Sequence, residues 1–209
     1  MSENKMAKAI TICEVGLRDG LQNEKTILTT EQKIDLVNKM SDAGFKVIEV
    51  GSFMSPKAVP QMANTDDVFK AMNKKPGVQY RALIANERGV DRAIACGCEK
   101  VKLNVSASVA HNIANLNMTP AESVAGFGAC VEKAKAAGIG ISGSISMAFG
   151  SPWDKEISID TVKSIVEAYL KVGVDEISLS DASGMAYPTQ VMEMCPEMAK
   201  AYPEVTWWL

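Results

Sequence analysis

Residues 14–24 read EVGLRDGLQNE, and they set a guanidinium, Arg18, beside a carboxylate, Asp19, at the end of the apolar run AITICEV. A permanent cation next to a hard oxygen donor is raw material for handling charge, although on an exposed turn the same pair would be a weak surface ion pair. Other polar residues follow short apolar runs in the same way. Glu49 and Ser52 lie at the end of KVIEVG, Asn86 follows VQYRALI, and Asn104, Ser106 and Ser108 close KVKLNV; Ser180 and Asp181 close DEISLS. Turn chemistry favours Asn, Asp, Ser and Gly, which accounts for Asn86 and Ser106. It does not account for Arg18 and Glu49. The single histidine, His111, is either a loop residue or a contact to a ligand. Cys96-Gly97-Cys98 could in principle bind a metal, but no second His or Cys cluster accompanies it, and structural zinc sites recruit four ligands.

The elements that must position these residues show in the hydrophobic periodicity. Candidate strands fall at 9–15, 46–51, 78–84, 100–105, 140–147, 175–180 and 205–209. Between them lie stretches with helical apolar spacing, TTEQKIDLVNKMSDAG, NERGVDRAIACG, TPAESVAGFGACVEKAKAAG, SIDTVKSIVEAYLKVG and PTQVMEMCPEMAKAY. Several begin at a Ser or Thr cap and stop at Gly44, Gly97, Gly138 or Gly173. This repeated βα unit predicts a parallel barrel or a doubly wound sheet. No Gly-x-Gly-x-x-Gly follows the first strand and no Walker loop is present, which favours the (β/α)8 TIM barrel. Such barrels do their chemistry where strands end and βα loops begin, where the polar residues above collect.

Composition narrows the partners. Lys and Arg number 22 against 25 Asp and Glu, a net charge of −3, with no basic run, so neither nucleic acid nor an anionic membrane surface is an expected partner. Five cysteines, an odd number, argue for reduced thiols. The polar start MSENKMAK lacks an apolar h-region and no segment reaches the length of a membrane helix, which predicts a cytoplasmic protein. Residues 1–209 read as one incomplete barrel domain of about seven strands.

EVGLRDGLQNE, VIEVGSFMSPKAVPQM at 47–62 and EISLSDASGMAYP at 176–188 together resemble the 3-hydroxy-3-methylglutaryl-CoA lyase family of metal-dependent aldolase and lyase barrels. The resemblance implies a carbon–carbon lyase. Such an enzyme cleaves a 3-hydroxyacyl-CoA by retro-Claisen reaction to acetyl-CoA and a keto product, with Mg2+ or Mn2+ as Lewis acid and template. It implies that Asp19 binds the metal and that Arg18 faces the thioester oxygen, where a fixed cation stabilises enolate charge. Asp181 and Glu49 complete the implied catalytic set, Glu49 by orienting the Arg, and Gln22, Ser52 and Ser106 are implied substrate contacts; His111, which departs from the family pattern, is a further candidate contact.

The chain also departs from that family's pattern. Val109 and His111 stand where a Glu and an aromatic are common, Ile84-Ala85-Asn86 replaces Thr-Pro-Asn, and Gly150-Ser151-Pro152-Trp153 replaces Gly-Cys-Pro. These changes predict a related hydroxyacyl-CoA or hydroxy acid as substrate. The family's His-x-His metal motif would begin directly after VTWWL, so the sequence is expected to stop short of most metal ligands. An open apolar strand there predicts a homo-oligomer, a dimer, formed through that edge. Two other readings remain open: a metal-dependent aldolase acting on a free hydroxy-keto acid, and a barrel fragment without catalytic activity.

Overall fold

Strand alternation builds the architecture. In the run Lys100–Ser106, Val101, Leu103 and Val105 are fully buried, whereas Lys102 and Asn104 line an interior cavity. Successive side chains of a strand point to opposite faces, so one face packs under helices and the other faces a lumen. The computed structural model describes residues 9–209 apart from the side chain of Asn115, and it holds seven parallel strands in sequential order. They are β1 (Cys13–Glu14), β2 (Val47–Ser52), β3 (Gln79–Leu83), β4 (Lys100–Ser106), β5 (Gly140–Ser146), β6 (Glu176–Ser180) and β7 (Thr206–Trp208). Sequential order with parallel pairing is the order of a (β/α) barrel wall, here curled with β1 and β7 as its two edges.

The helices are α1 (Thr30–Asp42), α2 (Thr65–Ala71), α3 (Glu87–Ala95), α4 (Val109–Leu116), α5 (Pro120–Ala125), α6 (Gly128–Ala136), α7 (Ile159–Lys171) and α8 (Pro188–Ala201). Their punctuation is local. Thr29 and Gln32 form a reciprocal capping box on α1, and Thr119 and Glu122 form another on α5. Gly44, Gly97, Gly138 and Gly173 take positive φ immediately after α1, α3, α6 and α7, turning the chain back into the next strand. None of the described helices is long and apolar enough to cross a membrane.

Three expectations are corrected. The strand expected over 9–15 shrinks to Cys13–Glu14, because Cys13 pairs with Val47, the first residue of β2, and the residues before it have no strand beside them; Ile10 is 80% exposed. The helix expected over 119–138 breaks into α5 and α6 at Gly126-Phe127-Gly128. Two poor helix formers flank a phenylalanine that turns inward to stack 6.2 Å from Tyr169. Helices α2 and α4 were not expected, and α4 is capped by Ser108, whose hydroxyl accepts the His111 N–H at 3.1 Å. Cys96 and Cys98 are both buried at the end of α3, and burial pushes the Cys98 thiol up to about 12. The N-terminal stretch MSENKMAK lies outside the described residues.

Candidate active site

A wide, π-helical turn over Gly16–Gly20 places the first pair of charges. Val15 C=O accepts both the Arg18 and Asp19 N–H groups, at 3.0 and 2.8 Å, and the Glu14 carboxylate accepts the Gly16 N–H at 2.6 Å. A side chain at position 16 would collide with that carboxylate, its Cβ only 2.7 Å from Glu14 Oε1. Leu17 is pinned in the core, and this fixes the direction of Arg18. The Arg18 Nε–H donates to Glu49 Oε1, and Nη1 lies 2.7 Å from Asp19 Oδ1.

Glu49 is fully buried, and its second oxygen meets Lys102 Nζ at 2.5 Å. Burial pushes its carboxyl pKa up, but the combined attraction of Lys102 and Arg18 outweighs burial and holds it below the ordinary carboxylate value. The result is a fixed carboxylate gripping two cations. A second cluster lies towards the strands' N-terminal ends. Glu176, the first residue of β6, pairs with Lys100 and with Arg81 at 3.2 Å, and the Arg81 guanidinium lies 4.9 Å over the Trp208 ring.

Arg18, Glu49 and Lys102 of the first cluster and Arg81 and Trp208 of the second face a cavity of about 790 Å3 inside the strand wall. Arg18, Asp19, Gln22, Glu49, His111 and Asp181 all line it. The Gln22 amide oxygen is buried there without a hydrogen-bond partner. Asp181 accepts the Met185 and Ala186 N–H groups, each at 3.0 Å, so its carboxylate also shapes the loop after β6. His111 packs 5.0 Å from the Trp153 ring, so the unusual loops after β4 and β5 touch each other; burial lowers its pKa. Ser52 and Ser106 are buried and lie outside the cavity lining, where their hydroxyls accept the N–H of Met54 at 3.1 Å and of Ser108 at 3.2 Å. Both act locally as turn formers in the loops that follow their strands.

Lys102 and Arg81 belong to the site but escaped the sequence reading. The signal was the alternation itself, since Lys102 and Asn104 share the inward face of β4. As to a metal, Asp19 offers a hard oxygen and is 59% exposed, but among the described residues no group of three or more His, Cys, Asp or Glu is placed to hold an ion. These residues supply one ligand of such a site, not a whole one.

The wall, the polar rim and the buried Glu49 that grips Arg18 coincide with a family match. The HMGL-like family model matches residues 9–208. The chain belongs to the HMGL-like family. It is 38% identical over 202 residues to the mitochondrial hydroxymethylglutaryl-CoA lyase of Rattus norvegicus, a match that takes in 97% of the chain and 62% of that relative. The chain thus spans about three-fifths of the length of that relative. Among solved structures, the hydroxymethylglutaryl-CoA lyase of Pseudomonas aeruginosa superposes with a TM-score of 0.92 at 35% identity, over 96% of this chain and 67% of that one. An HMG-CoA lyase from Acinetobacter baumannii in complex with coenzyme A and 3-methylmalate matches with a TM-score of 0.88 at 40% identity, over 94% and 64% of the two chains.

Proposed function

We propose that this chain carries the Arg18 half of the active site of a carbon–carbon lyase that cleaves a 3-hydroxyacyl-CoA, related to hydroxymethylglutaryl-CoA, into acetyl-CoA and a keto product. The observation that supports this most is the buried Glu49 holding Arg18 at the cavity mouth beside Asp19. Breaking the bond between C2 and C3 leaves negative charge on the thioester oxygen. A guanidinium already oriented by two carboxylates meets that charge without reorganising, and its low exposure, 14% of the side chain, limits the screening of the attraction. Asp181 stands at the same mouth as a second carboxylate facing the substrate, and the unpaired Gln22 amide oxygen offers an acceptor for a substrate hydroxyl. Ser52 and Ser106 act by holding the loops that border the cavity, and His111 contributes through the face it builds with Trp153.

A divalent ion, Mg2+ or Mn2+, would use Asp19 as one ligand and draw its others from outside the described residues; bound, it would supply Lewis acidity at the substrate oxygens. A cytoplasmic homodimer is part of the same proposal. The test is release of acetyl-CoA from hydroxymethylglutaryl-CoA and related hydroxyacyl-CoAs by the full-length polypeptide, with and without added Mn2+. Cleavage of a free hydroxy-keto acid in place of every acyl-CoA would transfer the site to the aldolase reading, and sedimentation of the same sample reports the assembly.

A further inference from the structure

The lumen has two unlike walls. From β2, β3 and β4 it receives the charged Glu49, Arg81 and Lys102, whereas β4, β5 and β6 also line it with Asn104, Ser144, Ser146, Ser178 and Ser180, all small and neutral. Strand register stacks these five in layers. Asn104 lies opposite Ser144, and Ser144 opposite Ser178; Ser146 and Ser180 lie opposite each other in the next layer, nearer the Asp181 loop. The apolar side chains of the lining, such as Ile12, Leu83, Met147 and Leu209, come from strand ends and from the two edges of the sheet. Barrel interiors are ordinarily filled by layers of bulky branched residues, Val, Ile and Leu above all. Here three adjacent strands present one amide and four hydroxyls instead, and the space that bulky residues would fill belongs to the cavity.

These groups only partly satisfy one another. The Ser144 and Ser180 hydroxyls come no closer than 3.4 Å, and Asn104 Nδ2 reaches Ser146 Oγ at 3.4 Å, both long for hydrogen bonds. Ser146 donates to the Val105 C=O at 3.2 Å. Ser178 and Ser180 are half-buried and Asn104 is exposed, so a ligand in the cavity can reach them. An alkyl chain laid against this wall would strip water from the hydroxyls and the amide and return no hydrogen bond. A chain with hydroxyls of its own replaces that water in kind, because Ser and Asn side chains each donate and accept.

We infer that the β4–β6 wall is a subsite for a polyhydroxylated acyl chain, with Asn104, Ser144 and Ser178 as one layer of contacts and Ser146 and Ser180 as the next. This deepens the lyase reading proposed above and rests on it for the place of the chain. The C3 hydroxyl belongs to the Arg18–Asp19 mouth, and the wall takes hydroxyls on carbons beyond C3, in the part that leaves as the keto product. A site built to hydrogen-bond such groups rejects the analogue that lacks them.

The experiment is calorimetric titration of the full-length polypeptide with two five-carbon acids of equal charge. 2-Deoxyribonate is hydroxylated on C3, C4 and C5, and 3-hydroxyvalerate on C3 alone, so a difference between them reports only the hydroxyls beyond C3. Wild type is compared with Asn104→Leu and with the double variant Ser144→Ala, Ser178→Ala. Wild type is expected to bind 2-deoxyribonate about tenfold more tightly than 3-hydroxyvalerate, as befits one or two added hydrogen bonds. At least one folded variant should lose that preference, with 2-deoxyribonate weakened and 3-hydroxyvalerate held or improved. Equal binding of the two acids by wild type, absence of 2-deoxyribonate binding, or an unchanged preference in both variants overturns the subsite. Should neither variant fold, the wild-type comparison decides by itself. The lyase reading is judged separately, by acetyl-CoA release. Cleavage of an acyl-CoA by a protein that binds both acids equally rejects the subsite and keeps the lyase. Selective 2-deoxyribonate binding without cleavage of any acyl-CoA keeps the subsite and rejects the lyase.

Discussion

The two faces of β4 obey different rules. Outward, Val101, Leu103 and Val105 are sealed under helices; inward, Lys100, Lys102 and Asn104 meet carboxylates, hydroxyls and open cavity. The outer face could be rebuilt from other apolar residues of similar volume and still fold. The inner face could not, because each charge depends on a partner delivered by a different strand. Lys102 needs Glu49 from β2, and Lys100 needs Glu176 from β6. The fold is therefore carried by interchangeable apolar contacts and the site by specific pairs.

Glu49→Ala is the sharpest test of that contrast. It leaves Arg18 and Lys102 inside without their shared anion, and removing one partner of a buried ion pair costs about 3–5 kcal/mol. Urea denaturation should show a loss of that order, at or above the loss from Leu103→Ala. Leu103→Ala on the outer face should follow at about 2–5 kcal/mol from lost transfer energy and the cavity left behind. It should leave substrate affinity per folded molecule unchanged. If the two variants reverse in both stability and ligand affinity, the division between the faces is wrong.

Arg18→Ala separates site from fold more cleanly. Glu49 keeps Lys102 as its cation when Arg18 is removed, so melting should shift less than in Glu49→Ala. Removing a fixed donor from a developing oxyanion lowers kcat by about 10²–10³-fold. A change confined to KM would instead mark Arg18 as a ground-state binding group.

How far the sequence revealed this molecule follows from the same division. Strands β2 to β6 were legible within a residue or two because apolar runs stand out between helical stretches that stop at residues with a backbone reason to be there, such as Gly44 and Gly173 at positive φ. The seven-strand parallel wall followed from the βα rhythm. The edge strand β1 was overestimated, since ITI at 10–12 has the composition of a strand and no neighbour to pair with. At the site, Arg18 and Glu49 stood out as residues that turns do not favour. Arg81 and Lys102 did not, because their significance lies in partners 95 and 53 positions away along the chain, Glu176 and Glu49, which only strand register brings together (176 minus 81, and 102 minus 49). Ser52 and Ser106 were expected as substrate contacts from the resemblance and from their place at strand ends, and their hydroxyls are spent on the N–H groups of the turns that follow.

The smallest expected effect concerns pH, and it bears on the inner face alone. Glu49 has a folded-state carboxyl pKa held below its ordinary value, because Lys102 and Arg18 together overcome the opposing effect of burial. Its ionisation therefore favours folding at every pH above the unfolded carboxylate value of about 4.3. That contribution fades as pH falls below 4.3 and through the folded-state pKa, since below it both states bind the proton. Glu49→Gln removes the titration while keeping the shape. The wild type should be the more stable protein at pH 7, and its advantage over Glu49→Gln should shrink as the pH is lowered through the acid range, measured as the gap between urea midpoints at each pH. Leu103→Ala supplies the control, because a methylene deficit does not titrate and its gap from wild type should stay constant over the same range. A Glu49→Gln gap that is flat with pH, or that widens in acid, would show that the Lys102 and Arg18 attraction does not exceed the desolvation of the buried carboxylate, and the inner face would then be no more charge-dependent than the outer one.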